Sequence, residues 1–427
     1  MNETLAPEAL ISDVDQGRRP RKGLRVLWLK TELLHPVDKG GKIRTYEMLK
    51  RLKRSHHITY VALDDGTATR QERDAAREYC HELVNIPFSL APRRSRRFYF
   101  ELAKNAGSRL PYAISRYQSA ALQRLVRERV ASGGYDVLVA DFLVQAINVP
   151  AGLPIATVLF QHNVEAMIWQ RHAQNQSNGL SRRYFEAQWQ RMLAFEREAC
   201  QRFDAVVAVS TDDCDTMRRD YGIEHVAAVP TGVDTDFFRP SGREPAIPHS
   251  LVFTGSMDWM PNDDAIRYFL DEAWPLIRQQ VPDATLTVVG RNPGPGLIER
   301  AAKQTGVTVT GRVDDVRPFM ERARCFIVPI RIGGGTRLKI YEAMAMEKPV
   351  VSTTIGAEGL PLRPDVDVLL EDDAAAFAGT VARVLRDDAY AGQIGREAAN
   401  TVRTRFSWDH VAERFTELLF EACDRSK

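Results

Sequence analysis

The sequence predicts an α/β protein with two domains, each built on a parallel β-sheet. Its 427 residues exceed what one hydrophobic core usually organises, so two domains are the default expectation. Short runs rich in Val, Ile and Leu alternate with longer segments whose apolar residues recur at helical spacing, a pattern typical of parallel strands connected by helices. The clearest unit lies at 325–353, where a strand, a glycine-rich loop, a helix and a second strand follow one another.

Composition excludes several classes of protein. Apolar residues make up 44% and charged residues 27% of the chain, as in an ordinary globular protein. A net charge of +2 argues against a nucleic-acid binder. The five cysteines are scattered and never form a CxxC pair, which suits a reducing cytoplasm and offers no metal site. No apolar run approaches the roughly 18 residues that a membrane span needs. The polar amino terminus does not resemble a signal peptide, so a cytoplasmic protein is expected.

The first domain is expected at 23–240, after a tail at 1–22 that lacks periodicity and is predicted to be disordered. It opens with a strand at Leu24–Lys30, a loop that ends in Gly40 and Gly41, and a helix over 42–54. No GxGxxG occurs, so the usual dinucleotide fingerprint is missing. The glycine pair lets the backbone come close to a ligand, but an ordinary tight turn explains it equally well.

The segment 91–117 is strongly basic. It holds seven basic residues against the single acid Glu101, and four large apolar side chains are interleaved with them: Phe98, Tyr99, Phe100 and Leu102. A basic segment with aromatic neighbours can lie on an anionic membrane surface. The alternative is a solvated loop and helix whose aromatic residues belong to the core.

Two further strands of the first domain are predicted at 135–141 and 156–162. The second ends at His162, immediately before a helix that starts near Val164. Ligand groups gather at the carboxyl ends of strands in such sheets, although a lone histidine is more often structural. A long helix at 181–203 and strands at 205–210 and 225–230 complete this domain.

The second domain is expected at 241–407, and a Pro-rich linker is expected at its start, over 240–248. Its predicted elements are strands at 250–255, 284–290, 307–311, 325–330, 349–353 and 366–370, with helices at 263–279 and 337–347. A last amphipathic helix is predicted within 408–427.

The glycine loop of this domain predicts a phosphate site. Gly333, Gly334, Gly335 and Thr336 precede the helix, whose first amides are unpaired donors with partial positive charge. Arg337 and Lys339 fall in the first helical turn, where cations are unfavourable unless an anion is bound. Glu342 follows about one turn later, at a distance suited to a pair of ribose hydroxyls. The alternative is a tight turn with surface charges.

The stretch GGGTRLKIYEAMAMEKPVVSTTIGAEGL resembles the nucleotide-sugar signature of the family-4, group 1 glycosyltransferases. These enzymes have the GT-B architecture, in which two Rossmann-like domains with parallel sheets face each other and a C-terminal helix crosses back to the first domain. They usually carry two glutamates eight positions apart. Glu342 matches the second, which holds the donor ribose, whereas the first falls at Gly334. The chain resembles a branch in which GGGTRLK replaces the usual loop.

The resemblance extends along the chain and implies further roles. It implies that amides at Gly41 face the donor, that His162 lies near the reacting sugar, and that the backbone at Val313 reads the base. Most members hold the diphosphate with an arginine and a lysine where this chain has Ser256–Trp259. Arg337 and Lys339 are the candidates to replace them.

The resemblance thus implies a metal-independent, retaining glycosyltransferase that moves a sugar from a nucleotide-diphosphate donor to a hydroxyl of a glycan or lipid-linked acceptor. Cell-envelope or exopolysaccharide assembly is the expected pathway. The expected catalytic residues are His162, Arg337 and Lys339. Donor contacts are expected from Gly41, Val313, Gly334, Gly335, Thr336, Arg337, Lys339 and Glu342, and no metal or separate cofactor is expected. A nucleotide-sugar epimerase and a catalytically silent sugar-nucleotide-binding protein remain as alternatives.

Overall fold

The computed structural model describes residues 23–38, 40–92, 94–174, 176, 178–332 and 337–426. The predicted tail at 1–22 and the loop residues Gly333, Gly334, Gly335 and Thr336 lie outside the described residues. The described chain forms two compact units. One comprises residues 23–230 together with 411–426, and the other comprises Thr231–His410.

The described residues of the first unit form a seven-stranded parallel sheet of order β3-β2-β1-β4-β5-β6-β7. Its strands are β1 (Arg25–Lys30), β2 (His57–Asp64), β3 (Glu82–Pro87), β4 (Val137–Asp141), β5 (Ala156–Phe160), β6 (Ala205–Ala208) and β7 (Val226–Ala228). Sequence analysis missed β3, because this edge strand, ELVNIP, is only partly buried and lacks the apolar run of the central strands.

Helices connect these strands, as parallel pairing requires. They are α1 (Gly40–Leu52), α2 (Arg70–Asp74), α3 (Arg96–Ala106), α4 (Tyr112–Ser115), α5 (Ala120–Ala131), α6 (Glu165–Gln174), α7 (Gly179–Arg202) and α8 (Thr211–Tyr221). The predicted return of the last helix is also present. Within Trp408–Arg425, the Phe415 ring lies 5.5 Å from the Trp28 ring, and Thr416 Oγ1 lies 3.1 Å from His56 Nε2.

In the second unit the described residues form a six-stranded parallel sheet of order β10-β9-β8-β11-β12-β13. Its strands are β8 (Ser250–Thr254), β9 (Thr285–Val289), β10 (Val307–Gly311), β11 (Cys325–Val328), β12 (Val350–Ser352) and β13 (Leu369–Leu370). Its helices are α9 (Met260–Tyr268), α10 (Trp274–Gln280), α11 (Pro295–Ala302), α12 (Arg317–Arg322), α13 (Leu338–Ala345), α14 (Ala374–Arg386) and α15 (Asp388–Arg405); α16 (Trp408–Arg425) follows.

The helix predicted at 263–279 is not regular. A π-helical turn, Phe269–Ala273, separates α9 from α10. Pro275 follows at once and has no amide hydrogen to donate back along the helix. Hydrophobic periodicity carries straight through such a turn, so the sequence pattern shows one helix.

Parallel pairing gathers the carboxyl ends of the strands at one edge of each sheet. In the first unit β1 lies beside β4, with Leu29 opposite Ala140, and β4 lies beside β5, with Asp141 opposite Phe160. In the second unit β8 lies beside both β9 and β11. Residues that follow these strands are the ones expected to meet a ligand.

Candidate donor site and a buried histidine cluster

A cavity of about 710 Å³ lies at the carboxyl edge of the second sheet. This volume is ordinary for a site that binds a small molecule. Four of the predicted site residues line it: Val313, Arg337, Lys339 and Glu342. They arrive from the loop after β10 and from the first turns of α13, so the structure brings together groups that the sequence placed in separate motifs.

Lys339 lines this cavity, and its side chain passes close to the backbone at Gly255. Its ammonium donates to Asn262 Oδ1 at 2.9 Å, and Asn262 in turn donates from Nδ2 to Ser256 O at 2.8 Å. A Cβ at Gly255 would lie 2.6 Å from Lys339 Nζ and 2.7 Å from Asn262 Nδ2, so a side chain there would displace these two groups. Burial lowers the pKa of Lys339 to about 7, although the nearby Glu342 acts to raise it.

Glu342 lies on the same face of α13, three residues further on. Burial raises the pKa of its carboxyl to about 7, against the opposing effect of Lys339. The cavity therefore contains one cationic and one anionic group that both change charge near neutral pH. Such displaced pKa values are common where a charged ligand completes the surroundings.

Arg337 is buried at the position immediately before α13. Its guanidinium lies 5.0 Å from the centre of the Trp259 ring, close enough for a cation–π interaction. The first amides of α13 therefore meet the cavity beside Arg337 and Lys339. This arrangement suits a ligand that carries negative charge.

Sequence analysis missed several lining residues. Trp259 and Asn262 follow β8, whereas Arg291 follows β9 and Arg312 follows β10. Arg291 Nε donates to Ser256 Oγ at 2.7 Å. Their position directly after buried strands was the available signal, but sequence gives no order for the strands and so does not predict which of these residues share one cavity.

The first unit holds His162 in a separate, buried cluster at the edge of its sheet. His162 lies two residues beyond the end of β5 and is 9% exposed. Its Nε2 lies 2.8 Å from Asp141 Oδ1. Asp141 is fully buried and also contacts Lys30, Thr45 and Trp28. The sequence signal for this cluster was a charged residue at the end of an apolar strand, at Lys30 and at Asp141.

Gly41 meets the same cluster through Phe142. The Phe142 ring stacks on His162 with centroids 3.8 Å apart and planes 9° from parallel. A Cβ at Gly41 would lie 2.9 Å from Phe142 Cζ, so a side chain there would displace this ring. Gly41 belongs to the first turn of α1, and its carbonyl oxygen lies 3.0 Å from Thr45 Oγ1.

Glu196 anchors the segment that follows His162. This fully buried carboxylate on α7 accepts from the amides of Glu165 and Ala166 at 2.9 and 2.8 Å, and from the Tyr221 hydroxyl at 2.7 Å. It thereby caps the N-terminus of α6 from another helix. Burial raises the pKa of Glu196 to about 7. The sequence predicts the long helix that carries Glu196, but it gives no sign that this carboxylate caps α6.

The described residues contain neither a membrane-spanning helix nor a cluster of metal ligands. None of the described helices combines the length and apolarity that crossing a bilayer requires. In the same part of the chain, His, Cys, Asp and Glu side chains do not form a group of three or more suited to a metal ion.

Comparison with known proteins adds independent findings. The family model described as Glycosyltransferase Family 4 matches residues 39–237, and the model described as Glycosyl transferases group 1 matches residues 248–387. An uncharacterized 44.6 kDa protein in the cps region of Klebsiella pneumoniae is 22% identical over 370 residues, which cover 83% of this chain and 89% of that protein.

Solved structures show the same fold at lower identity. Anabaena Alr3699/HepE in complex with UDP has a TM-score of 0.63 at 15% identity, covering 93% of this chain and 100% of that chain. WaaG, a glycosyltransferase involved in lipopolysaccharide biosynthesis, has a TM-score of 0.59 at 16% identity, covering 92% of this chain and 99% of that chain.

Two parallel-sheet α/β domains and these structural similarities define a protein of the GT-B fold. With one family model on each domain, the chain is a glycosyltransferase of the group 1, family-4 type.

Proposed function

We propose that this enzyme moves a sugar from a nucleotide-diphosphate donor to a hydroxyl of a glycan or lipid-linked acceptor, with retention of configuration and without a metal ion. One observation carries the proposal. Arg337, Lys339 and Glu342 converge on one cavity at the amino end of α13. In this assignment the domain at 241–407 binds the donor, and the domain at 23–240 binds the acceptor.

The donor diphosphate would lie against the amides at the start of α13, between Arg337 and Lys339. Gly334, Gly335 and Thr336 would add backbone amides from the preceding loop. Negative charge grows on the diphosphate as it departs from the sugar, and fixed cations in a partly buried site stabilise that charge. Glu342 would accept hydrogen bonds from the two ribose hydroxyls, and the backbone at Val313 would contact the base.

Gly41 and His162 belong to the first unit, and in this proposal they act on the reacting sugar. Gly41 keeps side-chain bulk away from Phe142, and Phe142 holds the imidazole of His162 in one plane. We assign His162 a contact with a hydroxyl of the reacting sugar. Such a contact raises the rate only if it is stronger in the transition state than in the ground state.

Relatives support a role in surface polysaccharide assembly. WaaG takes part in lipopolysaccharide biosynthesis, and the K. pneumoniae relative is encoded in a cps region. HepE was crystallised with UDP and with UDP-glucose, which makes a uridine diphosphate sugar the first donor to test. The alternatives of an epimerase and a silent binding protein predict, respectively, an isomerised sugar without acceptor and no turnover at all.

We also propose that residues 91–117 bring the enzyme to the anionic inner face of the cytoplasmic membrane. Tyr99 and Phe100 on α3 are 57% and 71% exposed, so these two aromatic residues are not core. They share α3 with Arg96, Arg97 and Lys104. An exposed aromatic pair among cations suits the interface of an anionic bilayer. Sedimentation with anionic and zwitterionic vesicles tests this: equal binding to both, or to neither, contradicts it.

The donor site is tested by removing its two cations. Replacing Arg337 and Lys339 together by Ala should weaken binding of UDP and of a UDP-sugar, because each charge-assisted contact is worth about 1.5–3 kcal/mol. UMP, which lacks the second phosphate, should be affected less. A screen of nucleotide sugars by thermal shift selects the donor, since a ligand of the folded state raises its melting temperature.

A matched control removes the same two residue types elsewhere. Arg300 lies on α11 and Lys303 directly follows this helix. They form surface ion pairs with Asp271 and Glu299, so their double replacement by Ala should leave nucleotide affinity unchanged. Calorimetry that finds normal UDP affinity in the Arg337/Lys339 variant would refute the assignment of the diphosphate.

A further inference from the structure

We infer that Asp141 is a positioning residue for His162. It holds the imidazole with Nε2–H directed at its own carboxylate, so that Nδ1 presents a lone pair to a ligand hydroxyl. The ligand class, a sugar hydroxyl, rests on the proposed function, whereas the orientation of the ring rests on contacts within the first unit.

The carboxylate of Asp141 is surrounded by donors. Its Oδ2 accepts from Lys30 Nζ at 2.9 Å, Thr45 Oγ1 at 2.7 Å and Trp28 Nε1 at 3.0 Å. Indole and ammonium groups donate and do not accept. Asp141 and Lys30 are both buried, so loss of either charge would leave the other without its partner. The Lys30 ammonium holds the pKa of Asp141 well below its usual range despite burial.

Donor and acceptor roles then fix the tautomer of His162. An ionised carboxylate accepts and does not donate. The 2.8 Å contact between Asp141 Oδ1 and His162 Nε2 therefore requires the proton on Nε2. Burial lowers the pKa of His162 to about 4, although Asp141 acts to raise it. A neutral imidazole with Nε2–H has Nδ1 as a bare acceptor.

Aromatic rings hold the imidazole in place. Phe142 stacks on it at 3.8 Å, and the Phe160 ring lies 4.5 Å away at an angle of 45°. Phe142 has a φ of 76°, a left-handed conformation that is rare for a bulky side chain. Lys30 Nζ lies 4.3 Å from the centre of the same Phe142 ring. Strained backbone of this kind persists where surrounding contacts demand it, often at functional sites.

The Nε2–H tautomer limits what His162 does in the reaction. A neutral ring that presents only Nδ1 does not donate a hydrogen bond to a phosphate and brings it no positive charge. It accepts a hydrogen bond from a hydroxyl, so its partner is the pyranose and not the diphosphate. Asp141 acts through His162 and touches no substrate itself.

The ligand-free protein provides the first test. Nitrogen-15 NMR of the His162 ring should show a protonated Nε2 and an unprotonated Nδ1 throughout the range from pH 6 to pH 8. Asp141→Asn should reverse this pattern. The amide oxygen should remain with Lys30, Thr45 and Trp28, so the amide NH₂ would donate to Nε2 and move the proton to Nδ1. A wild-type ring protonated on Nδ1 overturns the inference, whether or not the protein is a transferase.

Kinetics test the consequence. Asp141→Asn should lower kcat of the transfer reaction about 100-fold, the usual scale for a positioned polar group, with KM for UDP-sugar nearly unchanged. Asp136→Asn, on an exposed carboxylate one residue before β4, should leave kcat unchanged. Normal kcat in Asp141→Asn, with the tautomer reversed, overturns the positioning role while leaving the transferase assignment intact.

A second pair of variants avoids dependence on the buried Lys30–Asp141 pair. His162→Gln places an amide where Nε2 was and keeps a donor for Asp141. His162→Asn is shorter and places its amide near Nδ1, so it can offer an acceptor to the ligand. We expect the Asn variant to have the higher kcat of the two and the Gln variant the higher melting temperature. The reverse order of kcat contradicts an acceptor role for Nδ1.

Discussion

We expect donor affinity to have a broad maximum near pH 7, because the cavity holds two groups with displaced pKa values. The pKa of Lys339 is lowered to about 7 and that of Glu342 is raised to about 7. In the proposed complex Lys339 is charged to hold the diphosphate, and Glu342 is ionised to accept from the ribose. Below pH 7 the free protein lacks the carboxylate, and above pH 7 it lacks the ammonium.

The size of the change in affinity with pH follows from these two pKa values. If both groups must be charged in the complex, the apparent dissociation constant at pH 6 and at pH 8 should be about three times that at pH 7. This treatment takes the two groups as independent, and their mutual attraction broadens the optimum. A nucleotide sugar is the ligand to use, since its diphosphate has no group that titrates in this range, whereas the terminal phosphate of UDP does.

Two variants separate the pH dependence that Lys339 causes from the pH dependence that Glu342 causes. Glu342→Gln leaves only Lys339, so affinity should fall at least about tenfold from pH 6 to pH 8. The fall should begin below pH 7, because Glu342 no longer raises the pKa of Lys339. Lys339→Arg keeps its charge at all these pH values, so affinity should instead rise about tenfold over the same interval.

Titration calorimetry at pH 6, 7 and 8 measures all three curves, and repeating it in buffers of different ionisation enthalpy counts the protons exchanged. The shape of each curve is the readout, because arginine is larger than lysine and the tight approach at Gly255 will change absolute affinity. If Glu342→Gln and Lys339→Arg have the same pH dependence, the reasoning is refuted.

Three further outcomes are expected. Glu342→Gln should cost about 1–3 kcal/mol in affinity for a ribonucleotide and less for its 2′-deoxy form, which keeps only one of the two hydroxyls, and calorimetry with equal losses for both would make Glu342 a structural residue. Saturating chelator should leave the initial rate of transfer intact; a loss restored by magnesium or manganese contradicts the proposed metal independence. Glu196→Gln should lower the free energy of unfolding by about 1–3 kcal/mol, since two buried amides at the start of α6 lose their charged acceptor, whereas Glu198→Gln, at an exposed position on the same helix, should change urea unfolding little.

Local sequence pattern was enough to predict most helices and strands and part of the candidate donor site. Strand runs and helical spacing predicted the two parallel-sheet domains, because a strand buried on both faces must be apolar along its length. Arg337, Lys339 and Glu342 could be assigned to one site because they lie within six positions of a single helix start, where helical geometry alone sets their neighbours. An irregular edge strand such as β3 and a π-helical turn at Phe269–Ala273 carry no such pattern.

Partners distant in sequence were decided only by the tertiary structure. Trp28 and Asp141 are 113 positions apart, and they meet because β1 pairs with β4 and not with another strand. Asn262 reaches Lys339 across 77 positions through the adjacency of β8 and β11. A single sequence specifies which residues end a strand, but strand order is a property of the packed sheet. The sequence therefore showed His162 and Asp141 each at the end of a strand, but it did not show that the two side chains meet.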